Sequence, residues 1–458
     1  MSDFLSVRNP WNDQLVAELP YDDAGSVERK LAASSAAFDR WRKVPLAERI
    51  EQVQEGLSRF SACGDEIALG ITQQMGKPLG QAEGEHATCL ARANQSIADA
   101  PSALATDILE APEGFDYRIA HDPLGVVFDL AAWNYPLLIP INVIAPALLA
   151  GNTVLLKHSA KTPLCARAFS DAFGDLDIPD LVQDLVLRHD QSTSLIGDPR
   201  IAHVAFTGSV EGGREIHRAV GERFIDAGLE LGGKDPAYIA EDADLGQAAA
   251  GVVDGACYNA GQSCCAVERV YVHRSLHAEF LERAQALLEA YQAGDPLDPE
   301  TTIGPLASAS APAFLQDQVD EAVSQGARVL TGGESLGDHP RFYPPTLLDG
   351  VPNRARVMQE ESFGPLLPVL AVDSDEEALA LMNDSAFGLT ASVWTASGAR
   401  AETLAADLAT GTVFQNRCDY LEPALPWTGV GDSGKGSTLS RYGFHGLTRR
   451  KSLHLRRA

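Results

Sequence analysis

Between residues 125 and 231, short β-rich runs alternate with helical segments across loops of a few residues. No other feature restricts the fold of this chain as strongly. The spacing predicts strands over 125–130, 153–157, 184–187, 203–206 and 223–231. Helices are expected over 136–150 (ended by Gly151), 163–173, near 192–196 and over 209–220. Strands joined by helical crossovers build a parallel sheet covered on both faces. Such a sheet binds ligands at the carboxyl ends of its strands.

A second α/β pattern begins beyond Gly232, with strands at 237–239 and 269–273 and helices near 245–258 and 275–291, the last stopped by Gly294-Asp-Pro. The shift near Gly232-Gly233 is the expected domain boundary. The first hundred residues read as helices: 27–43 after Ser26 as the cap, then a stretch from Pro45 to about residue 60, then others to about 103. No internal repeat or low-complexity tract interrupts this plan.

The chain has 458 residues, which allows two or three domains of about 150 residues. The net charge of −27 disfavours nucleic acid and anionic membrane as partners. Seven cysteines, with no CxxC pair and no Cys/His cluster at zinc spacing, point to reduced thiols, a cytoplasmic location and no metal. The start, MSDFLSVRNPWNDQ, has neither a basic n-region nor an apolar h-region, so no signal peptide is expected. The long uncharged run 130–156 contains Asn134, Asn142, Asn152 and three prolines, and is expected to be buried core rather than a membrane span. The tail 449–457 alternates basic and apolar residues and reads as an edge strand that pairs with another subunit. Gly429-Val-Gly-Asp-Ser-Gly434 matches GxGxxG in letters, but Pro426-Trp427 precedes it where a strand is required, so it is expected to be a Gly-rich turn.

Five places carry groups suited to chemistry. Cys264 follows Gly261-Gln-Ser in a turn that can present a sulfur and its backbone N–H together. The other cysteines at 63, 89, 165, 257 and 418 read as small buried apolar residues. Asn134 opens the segment before an apolar helix, as a cap or as an amide donor to an oxyanion. Glu230 ends an apolar strand, where a carboxylate is costly unless used or paired. Lys157 ends a strand at the sheet edge. Thr207-Gly208-Ser209 leads from a strand into a helix N-terminus, which favours phosphate.

Taken in register, WNYP at 133–136, LLKHSAKTP at 155–163, FTGS at 206–209, LELGGK at 229–234, GQSCC at 261–265 and EESFGP at 360–365 resemble the aldehyde dehydrogenase superfamily. The likeness runs from about residue 7 to 448. It implies an α/β fold: a Rossmann-like parallel-sheet cofactor domain (1–104 and 124–232), an α/β catalytic domain (233–432), and a small β oligomerisation element (105–123 and 433–458). It also implies oxidation of an aldehyde to the acid with NAD or NADP, by a homodimer or homotetramer.

By the same resemblance Cys264 is the nucleophile and Glu230 the general base. Asn134 and the Cys264 N–H form the oxyanion hole. Trp133, Lys157, Ala160, Gly208, Ser209, Leu231, Glu361 and Phe363 lie along the cofactor, with Lys157 at the adenosine ribose, Ser209 at the pyrophosphate, Glu361 at the nicotinamide ribose and Phe363 beside the nicotinamide. Tyr135, Leu138, Ile139, Asn142, Ser263, Cys265, Leu421 and Trp427 line the aldehyde tunnel, which suits a medium aliphatic or aromatic aldehyde. Arg417 reads either as a receptor for a semialdehyde carboxylate, or as a partner of Asp419 or Glu422, or as a solvated side chain. Glu360 reads as surface charge.

One departure stands out. Many NAD-preferring members carry Glu three residues after the lysine; here the residue is Ala160, followed by Lys161, read as a solvated side chain. Two rivals to this function are a CoA-acylating relative, which would dispense with Glu230, and a non-catalytic binding protein of the same fold.

Overall fold

A computed structural model describes residues 3–174, 176–335 and 339–457. Two large sheets organise them. In the first, strands run in the order Gly434–Lys435, Asp226–Glu230, Ile201–Thr207, Val126–Ala131, Thr153–His158, Val182–Asp184. All neighbours are parallel except the first pair. Every residue of Val126–Ala131 is buried, as a strand covered on both faces demands. The helix Leu138–Ala150 is buried along its whole length and ends at Gly151 in the left-handed region, φ 97°. The uncharged run is thus interior, and no described helix is long and apolar enough to cross a membrane.

The second sheet has the order Arg328–Thr331, Thr346–Asp349, Leu366–Val372, Val267–His273, Asp235–Ile239, Thr390–Trp394, Thr412–Gln415, parallel but for its first pair. A third sheet joins Thr448–Arg456, Phe115–Pro123 and Asp107–Leu109. Thr448–Arg456 is an edge strand of this sheet, as its alternation predicts. The tail pairs antiparallel with Phe115–Pro123 of its own chain, in register from Thr448↔Pro123 to Arg456↔Phe115. Its partner lies more than 300 residues earlier, so nothing local announces it. Opposite charges set the match: Lys451 with Asp122, and Arg457 with Asp116 at 2.6 Å.

Two expectations change. The chain opens not on a helix but on a hairpin, Phe4–Arg8 with Leu15–Pro20. The first long helix, Ala24–Trp41, is capped by Asp23, whose carboxylate accepts from Ser26 N at 2.7 Å; Ser26 itself lies inside the helix. The GxGxxG letters do form a glycine turn. Gly434 sits at φ 120°, and a Cβ there would lie 1.9 Å from Leu229 O. Only glycine lets this turn lie against the strand that carries Glu230.

The carboxyl ends of the first sheet carry Trp133-Asn134, Lys157, Thr207-Gly208-Ser209 and Glu230-Leu231. The amino ends of the second sheet receive Cys264 before Val267–His273, and Glu361 to Phe363 before Leu366–Val372. The candidate residues therefore meet where the two sheets face each other.

Candidate active site

Cys264 sits in a turn that the backbone itself makes unusual. After the helix Leu245–Cys257, Asn259 and Ala260 take left-handed angles, φ 53° and 55°, and Gly261 follows at φ 71°. A Cβ on Gly261 would fall 2.4 Å from the carbonyl carbon of Gly364, so the motif's glycine is dictated by close chain approach. Gln262 is scaffolding: its Nε2 donates to Asn259 O at 3.0 Å, and its Oε1 accepts from Ala307 N at 3.0 Å. Cys264 is half-buried and Cys265 buried. The Cys265 thiol donates to Asp419 Oδ1 at 3.0 Å. Its pKa is raised well above the thiol range by a hydrogen bond with Cys264 and by burial. Burial also lifts the Asp419 carboxyl to about 7. Of the two adjacent sulfurs, Cys265 is thus committed to a structural bond and Cys264 is presented to the cavity.

That cavity, about 740 Å³, is lined by Cys264, Glu230, Tyr135, Leu138, Ile139, Asn142, Cys265, Leu421 and Trp427. Ser263 lies behind the wall, 1% exposed, with its hydroxyl on Asp419 Oδ1 at 3.1 Å. Glu230 is held by two hydroxyls: Thr438 Oγ1 donates to Oε1 at 2.5 Å and Thr207 Oγ1 to Oε2 at 3.3 Å. Burial nonetheless raises its pKa above the usual carboxylate value. A buried, hydrogen-bonded carboxylate shifted upward is poised to take a proton from water.

Asn134 is buried but does not cap the following helix. The helix begins at Leu138, and its first free amides, Leu137 N and Leu138 N, donate to Glu85 Oε1 at 2.8 and 3.4 Å. Glu85 also forms a buried ion pair with Lys77. Lys77 Nζ in turn donates to Asn134 O at 2.9 Å and lies 4.2 Å from the Tyr135 ring centre. Asn259 Nδ2 donates both to Asn134 O and to Gln262 O, at 3.1 and 3.2 Å. Lys77, Glu85 and Asn259 therefore fasten the Asn134 segment to the Cys264 turn. Sequence reasoning missed all three, since each acts on backbone far away in the chain.

The cofactor candidates gather on the other side. Ser209 Oγ caps the helix Val210–Gly221 through Gly212 N at 3.2 Å, and Gly208 N donates to Glu230 O at 3.0 Å. Trp133 and Phe363 rings meet edge to face at 5.6 Å. Phe363 holds φ 52°, a strained angle for a side chain of that size. Glu268 maintains it by accepting from the Ser362 and Phe363 amides at 2.7 and 2.9 Å, while Lys234 neutralises Glu268 at 2.6 Å. Glu361 accepts from Gly233 N at 3.1 Å, and burial, with the Glu268 charge nearby, lifts it to about 8. Leu231 N is bonded to Ser433 O.

Ala160 is exposed. Burial lowers the ammonium pKa of both Lys157 and Lys161. Lys161 is not the solvated side chain expected; its Nζ stacks 4.6 Å from the Trp133 ring centre, because the turn before Pro163 directs it inward. Two partly desolvated cations beside a helix N-terminus fit the anionic and hydroxyl groups of a dinucleotide. Arg417 pairs with neither Asp419 nor Glu422: it is exposed and lies 3.3 Å over the Tyr420 ring centre, since Asp419 turns inward to the thiol. Glu360 pairs on the surface with Arg356 at 2.9 Å. Among the described residues no cluster of three or more His, Cys, Asp or Glu could hold a metal.

Comparison with known proteins bears on this arrangement. The model of the aldehyde dehydrogenase family matches residues 2–453. The chain is similar to the succinate semialdehyde dehydrogenase [NAD(P)+] of Escherichia coli (strain K12), 35% identical over 95% of each chain. It is 35% identical to a succinate-semialdehyde dehydrogenase [NADP(+)] of Deinococcus radiodurans, over 97% of this chain and 93% of that one. Among solved structures, succinic semialdehyde dehydrogenase from Streptococcus pyogenes in complex with NADP+ superposes with a TM-score of 0.94 at 29% identity, covering 99% of this chain and all of that one.

Proposed function

Because this chain belongs to the aldehyde dehydrogenase family and oxidises aldehydes with NAD or NADP, we propose that it does so through a thioester on Cys264, released by water that Glu230 activates. The observation that carries this reading is the sharing of one cavity by Cys264, from the amino end of the second sheet's middle strand, and Glu230, from the carboxyl end of a strand of the first.

The Cys264 thiolate adds to the aldehyde carbon and forms a thiohemiacetal. Asn134 and the Cys264 N–H hold its oxyanion, an effect of about 3–4 kcal/mol per donor in other enzymes. NAD(P)+, when bound, supplies the hydride acceptor; Lys157, Ser209, Glu361 and Phe363 would hold it, with Trp133, Gly208 and Leu231 beside them. Glu230 then takes a proton from water as the oxygen attacks the thioester, and Cys264 leaves as thiolate with the carboxylic acid as product. An acyl transfer to CoA would need no base at this point, so Glu230 favours hydrolysis. The test is reduced-nicotinamide absorbance with an aldehyde panel, with and without CoA; turnover that requires CoA would overturn the hydrolytic reading.

The first sheet with its helices would form the cofactor domain, the second the catalytic domain. The three-stranded sheet, with Ile108 79% exposed and Leu109 and Leu455 half exposed, offers apolar surface for a dimer or tetramer. Light scattering at several concentrations measures this directly. The seven cysteines, all free, suit the cytoplasm. The relatives' names make a semialdehyde the leading substrate class among medium aldehydes.

Ala160 bears on cofactor choice. A Glu there would bind the ribose diol and repel a 2′-phosphate. Ala160 does neither, and Lys157 and Lys161 lie next to it. NADP+ should therefore serve as well as NAD+ or better, with the preference weakening at high salt. Ala160→Glu should shift kcat/KM toward NAD+. A native preference for NAD+ above about a hundredfold would sink this reading.

A further inference from the structure

Arg92 stands on the helix Leu79–Ala103, on the face that also buries Glu85 and Cys89. Its side chain lines the cavity of Cys264, although the residue is only 6% exposed. The protein satisfies it poorly. Nη1 donates to Asn142 Oδ1 at 3.3 Å, and the buried Nε has no partner. The carboxylates whose charge reaches it are engaged elsewhere. Glu85 takes Lys77 on one oxygen and the Leu137 and Leu138 amides on the other. Glu230 takes the hydroxyls of Thr438 and Thr207. A guanidinium keeps its charge at any working pH. A buried cation with open donors and no counterion is unfavourable unless a ligand brings the anion.

We infer that Arg92 receives a carboxylate carried by the aldehyde itself, so that the preferred substrate bears an aldehyde at one end and a carboxyl group at the other. This rests on the reading of the cavity as the aldehyde site. The planar guanidinium edge matches a planar carboxylate by two parallel hydrogen bonds. Asp254 and Asp419 also line the cavity, so a dianionic phosphate meets more repulsion than a single carboxylate does. Arg417 faces the same space but is exposed and stacked on Tyr420, where water screens its charge. Asn142, on the facing helix, orients the Arg92 fork.

The experiment compares kcat/KM for succinic semialdehyde and butanal, which share a four-carbon chain, in the native enzyme, Arg92→Gln and Arg92→Lys. The native enzyme should prefer the acid. Arg92→Gln should lower the acid-to-neutral ratio by roughly 30- to 100-fold, chiefly through KM, and Arg92→Lys should restore part of it. Calorimetry with succinate supplies a readout without turnover: binding should weaken at least tenfold in Arg92→Gln. Removing an unpaired buried charge should also leave the melting temperature unchanged or higher. An unaltered acid-to-neutral ratio overturns the inference. So does an equal loss with both aldehydes accompanied by a lower melting temperature, which marks Arg92 as structural. If no aldehyde of any kind is oxidised by the native enzyme, the reading of the site fails instead. Succinate binding then still decides whether Arg92 holds a carboxylate.

Discussion

Cys264→Ala abolishes aldehyde oxidation, with kcat lower by about 10⁴-fold or more, the scale on which loss of a covalent nucleophile acts in other enzymes. Cofactor binding, measured by fluorescence quenching, remains. The neighbouring substitution Cys265→Ala retains most of the activity. The asymmetry follows from where each thiol points. Cys265 is buried, donates to Asp419 and is pushed toward the inert neutral form. Cys264 is half-exposed in the cavity that also holds Glu230. Loss of the Cys265–Asp419 bond should appear as reduced stability, by about 1 kcal/mol, rather than as lost chemistry. An active Cys264 variant beside a dead Cys265 variant would reverse the assignment.

Glu230→Gln should lower steady-state kcat by about 10²- to 10³-fold, within the range of a lost general base. Gln is isosteric: its oxygen can still accept from Thr438, and the Thr207 hydroxyl can turn to accept from its amide N–H, so the cavity keeps its shape. Acylation needs no base at this position and should stay fast. Rapid mixing then shows a burst of reduced cofactor followed by a slow phase. Because burial raises the Glu230 pKa, the native base is lost as pH falls through a value above the ordinary carboxylate pKa of about 4.3. Native kcat should drop on that acidic side, and the variant should lack this limb. Equal slowing of burst and steady phases would refute the role of deacylation base.

Local signals carried much of this in the chain itself. Buried strands such as Val126–Ala131 are continuous apolar runs, so they are visible without neighbours. Cys264, Glu230 and Glu361 lie in motifs whose glycines mark close chain approach, and Gly261 against Gly364 bears out why. The cap of the helix Leu138–Ala150 shows the opposite case. Asn134 looked like the cap by position, yet Glu85, 52 residues before Leu137, supplies it. Lys77, Asn259 and Glu268 act in the same way, on amides and carbonyls brought near only by folding. The tail strand carried the right alternation but not its partner, because pairing across more than 300 residues leaves no periodic trace.

The sequence by itself determined the βαβ plan, the strand ends where the candidate residues gather, the turn of Cys264 and the placing of Glu230 at the end of its strand. Periodicity and glycine placement are local consequences of backbone geometry, and local geometry is written residue by residue. Only the tertiary structure decided which sulfur is committed to Asp419, which carboxylate braces the Asn134 segment, and that Lys161 turns to Trp133. It alone left Arg92 buried with an open donor in the cavity of Cys264. Burial and pairing depend on distances between segments remote in the chain, and these, rather than residue type, set the charge state and reach of each group.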